Sequence, residues 1–249
     1  MQLKCSFSNS GLPQVDIEFL ENLGSEILRE YQPWVFDVPC ATNIYDLIYN
    51  HLHLEVYNEI LSPDVSILGL ISFKDQKLPI YNNRMEKDSR EVVVGNIVID
   101  PRLREIPTRY RFTLGHEACH WILHRTFYEN PNKRDYIFRH TGFSYVACKK
   151  DPKEYGRKNP KEAETDDEWV EWQSDNLTGA IFMPRETFIP AACQIMQDLG
   201  YEDMYLVAGR RDPNRDVVLD QLASIFQVSR RSVKIRMRML GLYVEPSVI

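Results

Sequence analysis

Apolar residues recur at helical spacing in some stretches of the chain and at strand spacing in others. Residues 14–31 repeat apolar side chains three and four positions apart until Pro33 ends the pattern, and residues 43–50 repeat them again, so both predict amphipathic helices. Short apolar runs separated by turns then predict closely spaced strands. The predicted strands are residues 67–73, 77–81 and 92–100. The pattern is typical of an α+β fold in which a small antiparallel sheet packs on helices.

The second half of the chain is predicted to be mostly helical. Helices are expected at residues 108–125, 166–184 and 185–199, the last ended by Gly200. The connection at residues 126–165 is polar and charged apart from one strand-like piece, residues 143–148. A connection of that length is usually functional or mobile, so it is a candidate wall of a cleft beside the helices. The alternative for its charged run, residues 149–168, is a solvated loop.

A metal-binding motif, His116-Glu117-Ala118-Cys119-His120, lies within the helix predicted at residues 108–125. Four residues of α-helix turn the chain by about 400° and advance it about 6 Å, so the two histidines project from one face. Both imidazoles then reach one metal ion. Glu117 lies about 100° round the helix from His116. A carboxylate beside the ion is placed to take a proton from a water molecule, which is the role of a general base.

A catalytic zinc site needs a third protein ligand. His124 lies one further turn along the same face, but three imidazoles in line on one helix spread over about 12 Å, too far for bonds of about 2 Å to one ion. Glu171 and Asp175 share one face of the helix that begins near Asp166. Glu171 is therefore the candidate third ligand, and Asp175 is placed to accept the free N–H of a ligating histidine. The alternative is a solvated acidic face.

Two segments together resemble the ImmA/IrrE family of zinc metallopeptidases, whose catalytic core is similar to a minimal gluzincin. They are Arg111-Phe-Thr-Leu-Gly-His-Glu-Ala-Cys-His-Trp-Ile-Leu-His124 and Trp169-Val-Glu-Trp-Gln-Ser-Asp-Asn-Leu-Thr-Gly-Ala-Ile-Phe-Met-Pro184. The resemblance implies a zincin-like fold with a small, mostly antiparallel twisted sheet packed on the active-site helices. It departs from the common pattern at Cys119, where Gly is frequent, and at Ser174 and Thr178-Gly179, where Ala is frequent.

The resemblance also implies the roles of individual residues. His116 and His120 match the two histidine ligands of one Zn2+ ion per chain, and Glu171 matches the glutamate ligand. Glu117 matches the catalytic glutamate, and Asp175 matches the acid that supports a ligand. The implied activity is hydrolysis of a peptide bond in a specific protein, such as a helix-turn-helix transcriptional repressor or an antitoxin-like partner. An edge of the sheet is expected along the metal cleft, where an extended peptide adds as a strand.

Composition limits the other function classes. With 249 residues, 43% of them hydrophobic, the chain is large enough for a metallopeptidase domain, residues 1–205, and a small helical segment, residues 206–249. A net charge of −6 gives no overall basic field for nucleic acid or an anionic membrane. Without a signal-peptide pattern or a membrane-length apolar run, a cytoplasmic location is expected. The five cysteines are scattered and contain no C-x-x-C pair, so no disulfide framework or zinc ribbon is predicted.

The C-terminal segment predicts a helix-turn-helix. One helix runs to Phe226, a tight turn follows at Val228-Ser229, and a second helix carries Arg230, Arg231 and Lys234. These three basic residues are candidates for DNA contact, because such a second helix can enter the major groove. A packing or substrate-docking role is favoured over DNA binding. Two alternatives to a peptidase therefore remain: a DNA-binding regulator, and a module that binds a repressor without cleaving it, against which the presence of Glu117 weighs.

Overall fold

The computed structural model describes residues 5–8, 11–129, 145–149, 165–209 and 211–246. These residues form mixed α+β structure, as predicted. Their α-helices are α1 (Ile17–Tyr31), α2 (Ile44–Asp46), α3 (Pro107–Glu129), α4 (Asp166–Phe182), α5 (Arg185–Asp198), α6 (Arg215–Phe226) and α7 (Arg230–Met239). A π-helix, Leu47–His51, continues α2 through the helix predicted at residues 43–50, and 3-10 helices cover Pro33–Phe36 and Pro101–Glu105. Their strands are β1 (Ser6–Phe7), β2 (Pro13–Gln14), β3 (Glu55–Asn58), β4 (Ile67–Ser72), β5 (Gln76–Tyr81), β6 (Lys87–Val92), β7 (Asn96–Ile99), β8 (Tyr145–Lys149), β9 (Leu206–Val207) and β10 (Tyr243–Val244).

The chain divides into two compact units. The first takes the described residues among 5–16, 44–149 and 165–175, and the second takes those among 17–43 and 176–246. The predicted division into a domain at residues 1–205 and a segment at residues 206–249 stays a prediction. In the part of the chain that the structure describes, no helix combines the length and the apolar character needed to span a membrane.

A four-stranded sheet with the order β3-β7-β4-β8 is the centre of the first unit. Strand β4 pairs antiparallel with β7 and with β8, whereas β3 pairs parallel with β7. Helix α3 packs on this sheet at β4 and β7. All four residues of β7 are buried, which explains the continuous apolar run in its sequence, since a strand covered on both faces has no polar alternation.

The single strand predicted at residues 92–100 is wrong. Val92 ends β6, which pairs with β5 in a separate two-stranded sheet, and the chain turns before β7 begins. Gly95 lies in this turn with a φ of 86°, in the left-handed region that favours glycine. The first five residues of β6, Lys-Asp-Ser-Arg-Glu, face largely outward. Because these residues are mostly charged and exposed, the pattern of apolar residues does not predict this strand.

The second unit contains α1, α5, α6, α7 and a short parallel pair of strands, β9 and β10. The predicted helix-turn-helix elements are present: Gln227 ends α6 in the left-handed conformation, and Ser229 caps α7 by accepting from the Ser232 N–H at 3.0 Å. Phe188 of α5 packs against Phe226 of α6, with ring centroids 5.3 Å apart. This apolar contact joins the predicted helix-turn-helix to the rest of its unit.

An arginine inside the second unit was not anticipated from the sequence. Arg236 of α7 is 1% exposed. Its Nη1 and Nη2 donate to the two carboxylate oxygens of Glu21 in α1, the second at 2.7 Å, and its Nε donates to the Met183 carbonyl at 2.9 Å. A buried charge needs such a full set of partners. This side of the basic helix is therefore a packing face.

Candidate metal centre

The two motif histidines lie in the most deeply buried part of α3. Every residue from 113 to 120 is buried, so the helix is covered on all sides there rather than along one stripe. His116 is 1% exposed and His120 is 0% exposed. Imidazoles buried to this degree need defined partners for both ring nitrogens.

The nitrogens that face each other across one turn of α3 are the Nε2 atoms of His116 and His120, 2.9 Å apart. The two rings are nearly perpendicular, with 83° between their planes. Glu171 of α4 approaches the same point: its Oε2 lies 3.2 Å from His116 Nε2 and its Oε1 lies 3.6 Å from His120 Nε2. The structure thus brings together the three side chains predicted as ligands.

These three groups fit a metal ion. One ligand atom from each of His116, His120 and Glu171 lies within 4.8 Å of the other two. Ligand atoms around a tetrahedral zinc ion with bonds of 2.0–2.1 Å are about 3.3 Å apart. The distance between the two nitrogens, 2.9 Å, and their distances to the two Glu171 oxygens, 3.2 Å to Oε2 and 3.6 Å to Oε1, lie on both sides of that value. The cluster of His116, His120 and Glu171 could therefore hold a metal ion.

Asp175 supports the first histidine from one turn further along α4. Its Oδ1 lies 3.0 Å from His116 Nδ1. An N–H at Nδ1 that donates to this carboxylate leaves the lone pair of His116 on Nε2, where the cluster needs it. Burial raises the pKa of Asp175 to about 6, although the hydrogen bond from His116 opposes the rise.

Glu117 is completely buried and lies against the sheet. A Cβ placed on Gly69 of β4 would be 3.3 Å from Glu117 Oε1 and 2.7 Å from Thr113 Cγ2. The missing side chain at Gly69 thus makes room for α3 beside β4 at the level of Glu117. The role of this glycine was not predicted from the sequence. An isolated glycine inside an apolar strand is the signal that could have identified it, since it marks a close approach of another group.

His124 is buried, and neither of its ring nitrogens contacts the two facing Nε2 atoms of the cluster. Its Nδ1 lies 3.2 Å from His120 Nδ1, on the opposite side of that ring from the facing Nε2 atoms, and its Nε2 lies 2.8 Å from Gln173 Oε1. Burial lowers the pKa of His124 to about 4, although the contact with Gln173 opposes this. Burial and the neighbouring histidines also lower the pKa of His120. Both rings are therefore neutral near pH 7.

The basic residues predicted as candidates for DNA contact lie outside the metal cluster. In the second unit, Arg230 pairs with Asp220, with Asp216 at 3.9 Å, and Lys234 Nζ lies 5.1 Å from the centre of the Tyr243 ring. Arg231 is exposed at the start of α7. These positions leave DNA contact by the three basic residues as a hypothesis.

The strand-like piece predicted at residues 143–148 is found as β8, while the rest of the connection at residues 130–164 is outside the described part of the chain.

Comparisons with known proteins find no significant match for this chain, whether with family models, curated proteins or solved structures. The interpretation of the site therefore depends on its residues and their geometry.

Proposed function

We propose that this protein is a zinc-dependent endopeptidase. The observation that carries the proposal is the meeting of two imidazole nitrogens of α3 with a carboxylate of α4, within 4.8 Å of one another. Two histidines and one glutamate are a donor set used by catalytic zinc sites, which keep a further position for water or substrate. Imidazole and carboxylate ligands suit zinc. The partial exposure of Glu171 is consistent with a site that substrate can reach.

The proposed reaction assigns a role to each residue of the cluster. Zinc held by His116, His120 and Glu171 would supply Lewis acidity toward water and toward a peptide carbonyl. Glu117 accepts a proton from the water that adds to the carbonyl carbon and delivers it to the leaving amine nitrogen as the C–N bond breaks. Asp175 keeps His116 oriented with its lone pair on Nε2.

The substrate is proposed from the resemblance to ImmA/IrrE sequences. It is a specific protein, such as a helix-turn-helix repressor or an antitoxin-like partner, cleaved in the cytoplasm so that gene expression is released. The proposed zincin-like architecture is supported by the packing of α3 on a small sheet and by the arrival of Glu171 from a separate helix. Direct DNA binding by α7 has less support within the described residues, because Arg236 is buried and Arg230 is paired with an acid.

The first test is the metal content of the full chain, purified without chelators, measured by mass spectrometry. We expect about one zinc per chain in the wild type, its loss in Glu171→Ala, and its retention in Asp167→Ala, which removes an exposed acid of the same helix. Wild-type protein without metal even after zinc is added back would overturn the proposal. Full retention of zinc in Glu171→Ala would show that another group is the third ligand.

The second test is cleavage. Zinc-loaded wild type and Glu117→Gln are incubated with a panel of helix-turn-helix repressors, and the products are identified by intact mass. We expect a single cut in one substrate by the wild type alone. A cut made equally by Glu117→Gln would remove the assigned general base, and capture of a repressor without any cut would favour the non-cleaving binding module.

A further inference from the structure

His124 is a completely buried histidine that the proposed reaction does not use. It lies four residues beyond His120, and its two ring nitrogens contact two different elements of the same unit. Nδ1 contacts His120 and Nε2 contacts Gln173 of α4. A buried imidazole with both nitrogens engaged raises the question of which nitrogen carries the hydrogen.

The position of this hydrogen is set by a hydrogen bond between Gln173 and the backbone carbonyl of Pro13 in β2. A backbone carbonyl only accepts hydrogen bonds, and Gln173 Nε2 donates to the Pro13 oxygen at 2.6 Å. This contact fixes the orientation of the Gln173 amide, so that Oε1 is the atom directed at His124 Nε2, 2.8 Å away. Since an amide oxygen also only accepts, His124 Nε2 carries the hydrogen. The neutral ring then has its lone pair on Nδ1.

The lone pair of His124 constrains its neighbour. His120 Nδ1 lies 2.8 Å from Ser174 Oγ and 3.2 Å from His124 Nδ1. A hydroxyl both donates and accepts, so Ser174 alone would satisfy either tautomer of His120. His124 Nδ1 only accepts. When a metal ion takes up the lone pairs of the two facing Nε2 atoms, which lie 2.9 Å apart, the hydrogen of the neutral His120 ring must be on Nδ1, where the lone pair of His124 Nδ1 can accept it.

We propose that Gln173 and His124 are positioning residues that hold His120 in the Nδ1–H tautomer, so that its Nε2 lone pair is available to a metal ion. This inference rests on the proposed metal-binding function of His120. The two histidine ligands are then prepared by different means: His116 by the Asp175 carboxylate, and His120 by a neutral series of hydrogen bonds that starts at the Pro13 carbonyl. The neutral series orients the second ligand without adding another negative charge beside Glu171.

Two variants of His124 separate this role from simple packing. Asn places an amide oxygen near the position of the imidazole Nδ1 and can still accept from His120, whereas Leu fills similar space with no acceptor. Partners that orient metal ligands typically contribute about 10–100-fold in metal affinity. We expect that decrease in zinc affinity for His124→Leu, and a change of only a few fold for His124→Asn, measured by chelator competition on the folded full chain. Equal affinities in the wild type and His124→Leu would overturn the proposal, as would equal losses in both variants.

A direct readout is the tautomer of His124 in the metal-free full chain, obtained by NMR that correlates the ring protons with the ring nitrogens. We expect His124 to carry its hydrogen on Nε2, and we expect Gln173→Met, which removes the fixed acceptor, to give a mixture of the two tautomers at this ring. Hydrogen on His124 Nδ1 in the wild type would overturn the proposal. The expected tautomer in a protein that binds no zinc would support the hydrogen-bond series and refute the metal function, so the two failures are distinguishable.

Discussion

Asp175 Oδ1 lies 3.0 Å from His116 Nδ1, and Asp175 follows Glu171 by one helical turn on the same face of α4. One turn of one helix thus supplies both a candidate ligand and the group that orients another. Because this distance places the carboxylate within reach of the Nδ1 hydrogen of His116, we predict that Asp175→Ala lowers zinc affinity by about 10–100-fold. Asp175→Asn is expected to lower it less, since an amide oxygen still accepts. Chelator competition measures both, and unchanged affinity in Asp175→Ala would contradict the assigned role.

Glu117 is predicted to matter for hydrolysis and not for metal binding. Glu117→Gln keeps the size of the side chain in the space beside Gly69 but removes the basic oxygen. We expect zinc content to be unchanged and the cleavage rate to fall by about 10²–10⁴-fold, the usual contribution of a general base. Glu105→Gln is the control, because Glu105 is an exposed acid just before α3. Loss of zinc in Glu117→Gln would instead make Glu117 a ligand.

Gly69 is predicted to be intolerant of a side chain. The methyl of Gly69→Ala would lie 2.7 Å from both Ile99 Cδ1 and Thr113 Cγ2, so these side chains or α3 must move. We expect a decrease in stability of about 1–3 kcal/mol, as is typical of overpacked cores. Gly179→Ala in α4 is the matched control, since nothing lies within 4 Å of its added Cβ. Thermal unfolding of the two variants measures the difference, and equal midpoints would contradict the close approach of α3 to β4.

The parts of the candidate site that could be predicted from the sequence are those set by the period of one helix. The spacing of His116, Glu117 and His120 follows from the turn of α3, and the shared face of Glu171 and Asp175 follows from the turn of α4. The structure brings both faces together, as expected. The contact between the two helices could be inferred only from the need of a zinc site for a third ligand. No sequence pattern predicts that contact, because it depends on the fold of the first unit.

The parts that could not be predicted depend on contacts between distant positions. Gln173 and Pro13 are 160 residues apart, and nothing in the local sequence of either indicates a hydrogen bond. Gly69 is read as an ordinary strand residue until α3 is seen against it. Arg236 belongs to a run of basic residues that is typical of a solvated or nucleic-acid-binding face, and only tertiary packing shows that its side chain is internal.

Removal of one partner from the buried ion pair of Arg236 and Glu21 is predicted to destabilise the second unit strongly. Arg236→Met leaves the Glu21 carboxylate buried, at 6% exposure, without its cation. A buried charge stripped of its partner destabilises a protein by about 3–5 kcal/mol. We expect a decrease of that size in the free energy of unfolding, measured by urea denaturation.

The double variant Glu21→Leu with Arg236→Met tests the reason for that decrease. Replacing both charges with apolar groups of similar volume is often neutral, because it removes the desolvation penalty together with the attraction. We therefore expect the double variant to regain most of the stability lost in Arg236→Met, so that the two effects are far from additive. Arg230→Met, which breaks an exposed pair with Asp220, is the control and should change stability little. Additive losses in the double variant would instead show that the guanidinium acts mainly through the Met183 carbonyl and its packing.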